Sequence, residues 1–331
     1  MFFKKLKSVF IVAEISANHG GSLKQAKETI MGAKRAGADA IKLQTYTPET
    51  MTIESNNKDF IINNGSIWDG KNFYELYKEA HTPWSWHKEL FKLAKSLNLK
   101  FFSTPFDKSS VDFLENMNVP FYKIASFEIT DIPLIKYVAS KGKPIILSTG
   151  IAELEDIELA IKTIRSMGNN DIVLLKCTSS YPSKLSDANL CMIKDLRDKF
   201  NVITGLSDHT LGSISPVLAV CYGAKIIEKH FILDHSIRGP DSSFSMDEIE
   251  FKEMVDNVRS AEKALGKVDY KLNQDQINAK DFSRSIYVVK NIKKGELFTS
   301  ENIRVIRPGF GLHPKYYEKI LNTKSNLDLR K

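Results

Sequence analysis

Short apolar runs recur along the first two thirds of the chain, and each ends in polar residues. They are VFIVAEIS (9–16), AIKLQTY (40–46), KFFSTPF (100–106), YKIAS (122–126), PIILSTG (144–150), IVLLKCTSS (172–180), VITGLSDH (202–209) and KIIEKHF (225–231). Between most of them the apolar positions fall three and four apart, the helical spacing. Residues 22–37 place Leu23, Ala26, Ile30, Ala33 and Ala36 on one face and end on Gly37. Residues 109–118 open with serines able to cap a helix, and residues 153–168 combine an acidic first turn with a terminal glycine. SISPVLAVCYGA (213–224) is apolar nearly all round, which predicts a buried helix. Strands alternating with helices predict a parallel sheet, and eight such units within about 240 residues predict a (β/α)8 TIM barrel, an α/β fold. A doubly wound open sheet would carry a glycine-rich fingerprint after its first strand, and NHGGS (18–22) lacks that spacing.

Residues 46–98 are too many for one loop and one helix. They predict a long excursion (47–72) followed by two helical pieces, and such insertions lie over the C-terminal face of a barrel. An amphipathic helix over 248–265 closes the barrel, which gives a first domain of residues 1–266. KVDYKLNQDQINAKD (267–281) is polar and reads as a linker. Residues 282–331 hold short strands and turns, a second domain of about 50 residues that is marginal on its own.

Composition narrows the class. The chain has 331 residues, 42% of them hydrophobic and 10% aromatic, as a globular protein with a sizeable core requires. No apolar run approaches the ~18 residues of a membrane span. The first 16 residues start basic and turn apolar, but the apolar part is short and meets Glu14 with no small-residue cleavage site, so they are read as the first strand and the chain as cytoplasmic. Cys177, Cys191 and Cys221 are odd in number, widely spaced and set among apolar residues, which predicts reduced core or near-core thiols. The net charge of +7 admits nucleic-acid binding, a merely lysine-rich surface, or a cleft for an anionic substrate. The lysines are dispersed, with no basic tract or RNA-binding motif, which favours the second reading and leaves room for the third.

In a barrel, chemistry comes from the C-terminal strand ends. Those ends offer Glu14 and Asn18; Lys42 and Gln44; Ser103, Thr104 and Phe106; Lys123, Ser126 and Glu128; Ser148 and Thr149; Lys176, Thr178, Ser179 and Tyr181; Ser207, Asp208 and His209; and Glu228, Lys229 and His230. Four strands carry lysines among hydroxyls. The set suits a phosphate and a carboxylate held together; a structural ion-pair network is the alternative. The last two strands are neighbours in a barrel, so His209 and His230 would stand side by side at its mouth as two ligands of a divalent metal, with open positions for water and substrate. Paired structural histidines are the other reading. His81, His87, His235 and His313 carry no signal that separates them from surface residues.

The assembled stretches AEISANHGGS (13–22), AIKLQTYTPETMT (40–52), FFSTPFD (101–107), YKIASFE (122–128), LKCTSSYP (175–182), GLSDHTLG (205–212), IEKHF (227–231) and GPDSSFSM (239–246) resemble the sialic acid synthase family. Residues 66–87 and SANH (16–19) are most similar to its pseudaminic acid branch. The tail from residue 283 resembles that family's antifreeze-like (SAF) domain.

The resemblance implies metal-dependent condensation of phosphoenolpyruvate with an N-acylated amino-sugar aldehyde, giving a nine-carbon keto acid and phosphate. It implies Mn²⁺ or Mg²⁺ on His209 and His230. It implies phosphoenolpyruvate on Lys42, Gln44, Thr104, Lys123, Ser126, Ser148, Ser179 and Ser207, with Phe106 beside the substrates. Glu128 matches the carboxylate at the reaction centre, with Lys123 as its catalytic partner. Glu14, Tyr181 and Asp241 match sugar-contacting positions. Phe282 and Arg307 match residues that the small domain places in a partner's site, which implies a domain-swapped homodimer with no nucleic-acid or membrane partner. NLDLRK stops short of where the family's small domain continues, so the resemblance also implies a shortened C-terminal end. The alternatives are a legionaminic or N-acetylneuraminic acid synthase, a Schiff-base lyase using Lys123 or Lys176, and a carbohydrate- or ice-binding protein.

Overall fold

The computed structural model describes residues 2–331 and divides into two compact units, Met1–Gly266 and Lys267–Lys331. In the first, eight parallel strands close into a barrel in chain order: β1 (Phe10–Glu14), β2 (Ala40–Thr45), β3 (Lys100–Pro105), β4 (Tyr122–Ile124), β5 (Ile145–Ser148), β6 (Ile172–Cys177), β7 (Ile203–Asp208) and β8 (Ile226–His230). β8 pairs with β1, Glu14 opposite His230, to complete the ring. Helices connect the strands, among them Leu23–Arg35, Lys108–Asn116, Leu154–Ser166 and Ile214–Cys221. Their starts follow capping chemistry: Ser22 accepts from the Gln25 N–H, and Asp107 from Ser109 and Ser110.

Strand alternation organises the interior. Residues pointing into the barrel begin apolar and end polar: Val12 then Glu14, Ala40 then Lys42, Phe102 then Thr104, Ile146 then Ser148, Ile226 then Glu228. The apolar members pack with Val173 and Leu175 in the lower barrel. Phe3, from a one-turn helix before β1, plugs the bottom against Phe10 and Phe121. The outward residues, such as Ile11, Ile41 and Leu43, pack under the helices. Gly205 is required by space: a Cβ there would lie 2.3 Å from the Ile226 carbonyl oxygen and 2.8 Å from Leu175.

Helix Glu248–Leu265 ties the barrel closed. Arg259 donates to the Val9 carbonyl at 2.7 Å and pairs with Asp39 at 3.0 Å, while Glu262 accepts the Val9 N–H. The insertion expected over 47–72 holds short helical turns and an Ile61–Asn72 bridge, and the two helical pieces are Phe73–Ala80 and Trp84–Ser96. No helix among the described residues is long and apolar enough to cross a membrane.

Four expectations need correction. Helix Ile214–Cys221 is not buried all round: its small residues Ser215, Pro216 and Ala219 face the barrel, while Ile214 and Leu218 are exposed. Cys177 is buried, but Cys191 and Cys221 are exposed. His87 is fully buried, bonded to Thr45 on β2, which itself bonds Ser103 on β3. Lys176 and Lys229 do not join the other strand lysines. Each is one residue out of phase with its inward neighbours, so alternation sends it outward. Lys229 pairs with Asp208 at 2.5 Å and also donates to the Thr210 carbonyl; Lys176 donates to the Cys177 carbonyl and to Thr178.

In the second unit, β9 (Ser285–Val288) and β10 (Ile303–Ile306) pair antiparallel over a small core of Ile286, Ile292 and Ile303. The last segment returns to pair Leu329 with Ile292 and Lys324 with Leu297. The stretch read as a linker contains a helix, Gln274–Asn278, with a capping box from Asn273 and Gln276.

The Asp208–Lys229 pair yields a stability prediction. Asp208→Ala or Lys229→Ala leaves the other charge buried and uncompensated, so each should lower unfolding free energy by about 3–5 kcal/mol in urea titration. A loss under about 1 kcal/mol would place the pair in the exposed class.

Candidate active site

The inward-facing strand ends open into a cleft of about 440 Å³ at the C-terminal end of the barrel. Lys42, Gln44, Phe106, Lys123, Ser126, Glu128, Ser148, Tyr181, Ser207, His209, His230 and Asp241 all line it, so most of the residues singled out from sequence converge there. Glu14 and Thr104 are buried at the same level, Glu14 opposite Lys42 and Thr104 opposite Gln44. Ser179 meets Ser126 hydroxyl to hydroxyl at 2.5 Å. Phe282 and Arg307 belong to the second unit, where both are exposed. Asn18 is structural: its amide donates to the Phe231 carbonyl and to Ser245.

The floor is an ion cluster. Lys42 Nζ lies 2.9 Å from Glu14 and 3.1 Å from Glu228; Lys123 Nζ lies 3.3 Å from Glu228. Ser207 donates to the same Glu228 oxygen at 3.0 Å. Burial raises Glu14, and Lys42 offsets this only in part. Burial acts on Glu228 the same way, but two ammoniums outweigh it and hold that carboxylate ionised. Burial opposes the charge on Lys42, yet its two carboxylates keep it protonated. Lys123 has fewer acidic neighbours, so burial lowers it. Glu128, on the one-turn helix after β4, is pushed up to about 7, chiefly by burial against the pull of Lys123.

Several polar atoms here are buried with no protein partner: Thr104 Oγ1, Ser148 Oγ, Glu128 Oε2, Glu228 Oε2 and His230 Nδ1. Orphaned groups of this kind cost about 1–3 kcal/mol each unless something else satisfies them. Their concentration around one cleft marks it as built for a polar ligand.

The histidine rings stand 5.4 Å apart at one end, with Tyr181 4.3 Å from His209. His209 Nδ1 is bonded to the Thr178 carbonyl at 2.9 Å, which leaves Nε2 as its free nitrogen. Burial disfavours the His209 imidazolium, but Cys177 nearby turns the balance upward. Burial and the charge of His209 hold His230 well below the usual range, hence neutral. Asp241 stands 3.8 Å from His230 Nδ1. Two imidazoles with free nitrogens and an adjacent carboxylate fit a divalent cation. A separate trio, His235, Asp247 and Glu250, lies at the surface, where the two carboxylates already cap helix Glu248–Leu265.

The opposite wall is not marked in the sequence. Met51, Ile62, Trp68, Phe73, Leu76 and Tyr77, all from the insertion and the helix after it, face the cleft. Trp68 anchors this wall by donating to the Pro240 carbonyl at 3.1 Å. No sequence period picks out these residues, because their position depends on how the insertion folds back. Glu228 is legible: it lies two residues before His230 and pairs in register with Ser207.

A model of the NeuB family matches residues 29–270, and a SAF domain model matches 283–331. The chain belongs to the NeuB family. It is 49% identical over 328 residues to the pseudaminic acid synthase of Campylobacter jejuni subsp. jejuni, covering 99% of this chain and 95% of that one. It is 38% identical to the N,N'-diacetyllegionaminic acid synthase of Legionella pneumophila, covering 97% and 91%. Among solved structures it resembles the N-acetylneuraminic acid synthetase of Leptospira borgpetersenii, in complex with citrate, with a TM-score of 0.73 and 34% identity over 82% of this chain and 90% of that one. These likenesses agree with the family, the TIM barrel and the small C-terminal domain expected from sequence, and place the chain among synthases.

Alternation in this family member's barrel gives a test. Lys42→Met and Lys123→Met should each reduce kcat/KM at least ~100-fold. Lys176→Met, buried behind the sheet and outside the cleft, should cost stability but leave the kcat/KM of the folded protein within about threefold of the parent. Equal losses at all three would refute the assignment of the two inner lysines to the cleft.

Proposed function

We propose that the chain is a pseudaminic acid synthase, a transferase that condenses phosphoenolpyruvate with 2,4-diacetamido-2,4,6-trideoxy-β-L-altropyranose and releases phosphate by C–O cleavage. The observation that carries this reading is the near full-length identity of 49% to a pseudaminic acid synthase, against 38% to a legionaminic one. The cleft supports it from both sides. A triply ionisable enol phosphate suits the floor of lysines and unpartnered hydroxyls. A sugar carrying two acetamido methyls and a 6-deoxy methyl suits the apolar wall from Met51 to Tyr77.

Lys42, Lys123, Gln44, Thr104, Ser126, Ser148, Ser179 and Ser207 hold phosphoenolpyruvate, and Phe106 covers it. Glu14, Tyr181 and Asp241 hold the sugar in its open-chain form. His209 and His230 would hold a divalent ion, Mn²⁺ or Mg²⁺, whose chemistry is to polarise the sugar aldehyde. The enol carbon C3 of phosphoenolpyruvate bonds to the sugar C1. Water adds at the former C2, and the tetrahedral centre expels phosphate with its bridging oxygen, leaving the ketone. Glu128, poised near neutrality, takes one proton from that water and passes it to the departing phosphate, and the water's second proton, released as the ketone forms, ends on the alkoxide left at the sugar C1. Confinement of both substrates in one cleft supplies much of the rate.

The working unit is a cytoplasmic homodimer in which Arg307 and Phe282 of one chain complete the other's cleft. Their exposure supports this: Phe282 is 71% exposed, and Arg307 lies in the same loop as Phe310, at 72%.

The test is phosphate release from phosphoenolpyruvate against a panel of amino-sugars. The altro-configured 2,4-diacetamido-2,4,6-trideoxy sugar should be used in preference to the legionaminic precursor and to N-acetylmannosamine, and chelator should remove the activity until Mn²⁺ or Mg²⁺ is restored. Mixed dimers of Arg307→Ala and Glu128→Ala chains should regain part of the lost activity, since one cleft then carries both intact groups. Preference for another sugar would replace the pseudaminic reading, and verified mixed dimers without recovery would refute the exchange between chains.

A further inference from the structure

We infer that Glu228 is a positioning residue, whose carboxylate sets the spacing of the groups that receive phosphoenolpyruvate. The inference rests on the functional reading proposed above. One oxygen, Oε1, collects Ser207 Oγ at 3.0 Å, Lys42 Nζ at 3.1 Å and Lys123 Nζ at 3.3 Å. These three donors come from β7, β2 and β4, which are not neighbours in the barrel. No ladder hydrogen bond between those strands therefore fixes how far apart the side-chain tips stand.

The shared oxygen supplies that constraint. Two ammoniums within 3.3 Å of one atom repel each other, and an ionised carboxylate between them turns the repulsion into a bridge. Glu14 cannot substitute, because it reaches Lys42 alone. Glu228 is 5% exposed and its second oxygen has no protein partner, so it adds no further tie within the barrel. Glu228 lines the cleft, but a carboxylate facing an anionic phosphate repels it, so its second oxygen can serve a water or hydroxyl donor and not the phosphate. Its effect reaches the ligand through Lys42, Lys123 and Ser207.

A group that merely neutralised charge would need only to be anionic, whereas a positioning group must also sit at the right distance. Glu228→Gln removes the charge. Glu228→Asp keeps it but withdraws the carboxylate by one methylene. Phosphoenolpyruvate binding is measured alone by calorimetry, and KM for each substrate by phosphate release. Both variants should weaken phosphoenolpyruvate binding at least ~10-fold, with KM for the sugar changed less than about twofold. Native-like affinity in either folded variant would overturn the inference, as would equal loss for both substrates. Full rescue by Asp would reduce Glu228 to a charge balance. If neither variant folds, the carboxylate holds the barrel rather than the ligand, and the inference fails. A parent protein that does not bind phosphoenolpyruvate at all would overturn the functional reading itself.

Discussion

Two ammonium groups inside a closed barrel are the constraint on which the upper half of this molecule depends. Lys42 and Lys123 are 4% and 1% exposed, and an isolated charge at such depth is prohibitively unfavourable. The barrel accommodates them by placing carboxylates on the same inward faces, Glu14 on β1 and Glu228 on β8. The packing below follows from the same need. The apolar layer of Val12, Phe102, Ile146 and Val173, plugged by Phe3, keeps water from the underside, so the charges can respond only to each other and to what enters from above. In that low-dielectric setting each electrostatic contact with a ligand counts for more than it would in water.

The cleft is chemically two-sided because its walls have separate origins. Strand ends build the floor, and a sheet holds side chains at fixed spacing; that suits charged groups, whose contribution falls steeply with misplacement. An insertion builds the other wall, and a folded excursion can present broad apolar surface that a strand end cannot. Histidines and Tyr181 stand where the two meet, with Trp68 5.6 Å from the Tyr181 ring. In the proposed reaction the chemistry of phosphate and metal falls to the barrel, and discrimination among sugars to the insertion.

Much of this is legible in the residue pattern, because a barrel's code is local. Each of the eight runs carries its own alternation, and the strands begin and end within a few residues of the expected limits. The same rule, applied one residue more strictly, separates Lys42 and Lys123 from Lys176 and Lys229, and pairs Asp208 with Lys229 on the outer face. The burial of His87 is illegible because its partner, Thr45, lies 42 residues away. Helix Ile214–Cys221 departs from expectation because composition does not say which side a small residue takes: Ala219 seats it on the barrel while Leu218 faces out. The apolar wall has no period to read, since tertiary folding alone brings Met51 and Leu76 to one surface.

Cleavage of the C–O bond of phosphoenolpyruvate is the step on which the proposed chemistry of this cleft turns. The most direct measurement uses phosphoenolpyruvate labelled with ¹⁸O at the oxygen bridging C2 and phosphorus, incubated with the metal-loaded protein and the altro-configured sugar. The label should leave entirely with inorganic phosphate, because water adds at C2 and phosphate departs carrying its bridging oxygen. Recovery of the ¹⁸O in the keto-acid product would mean P–O cleavage, and would contradict the proposed roles of the lysines, the hydroxyls and Glu128.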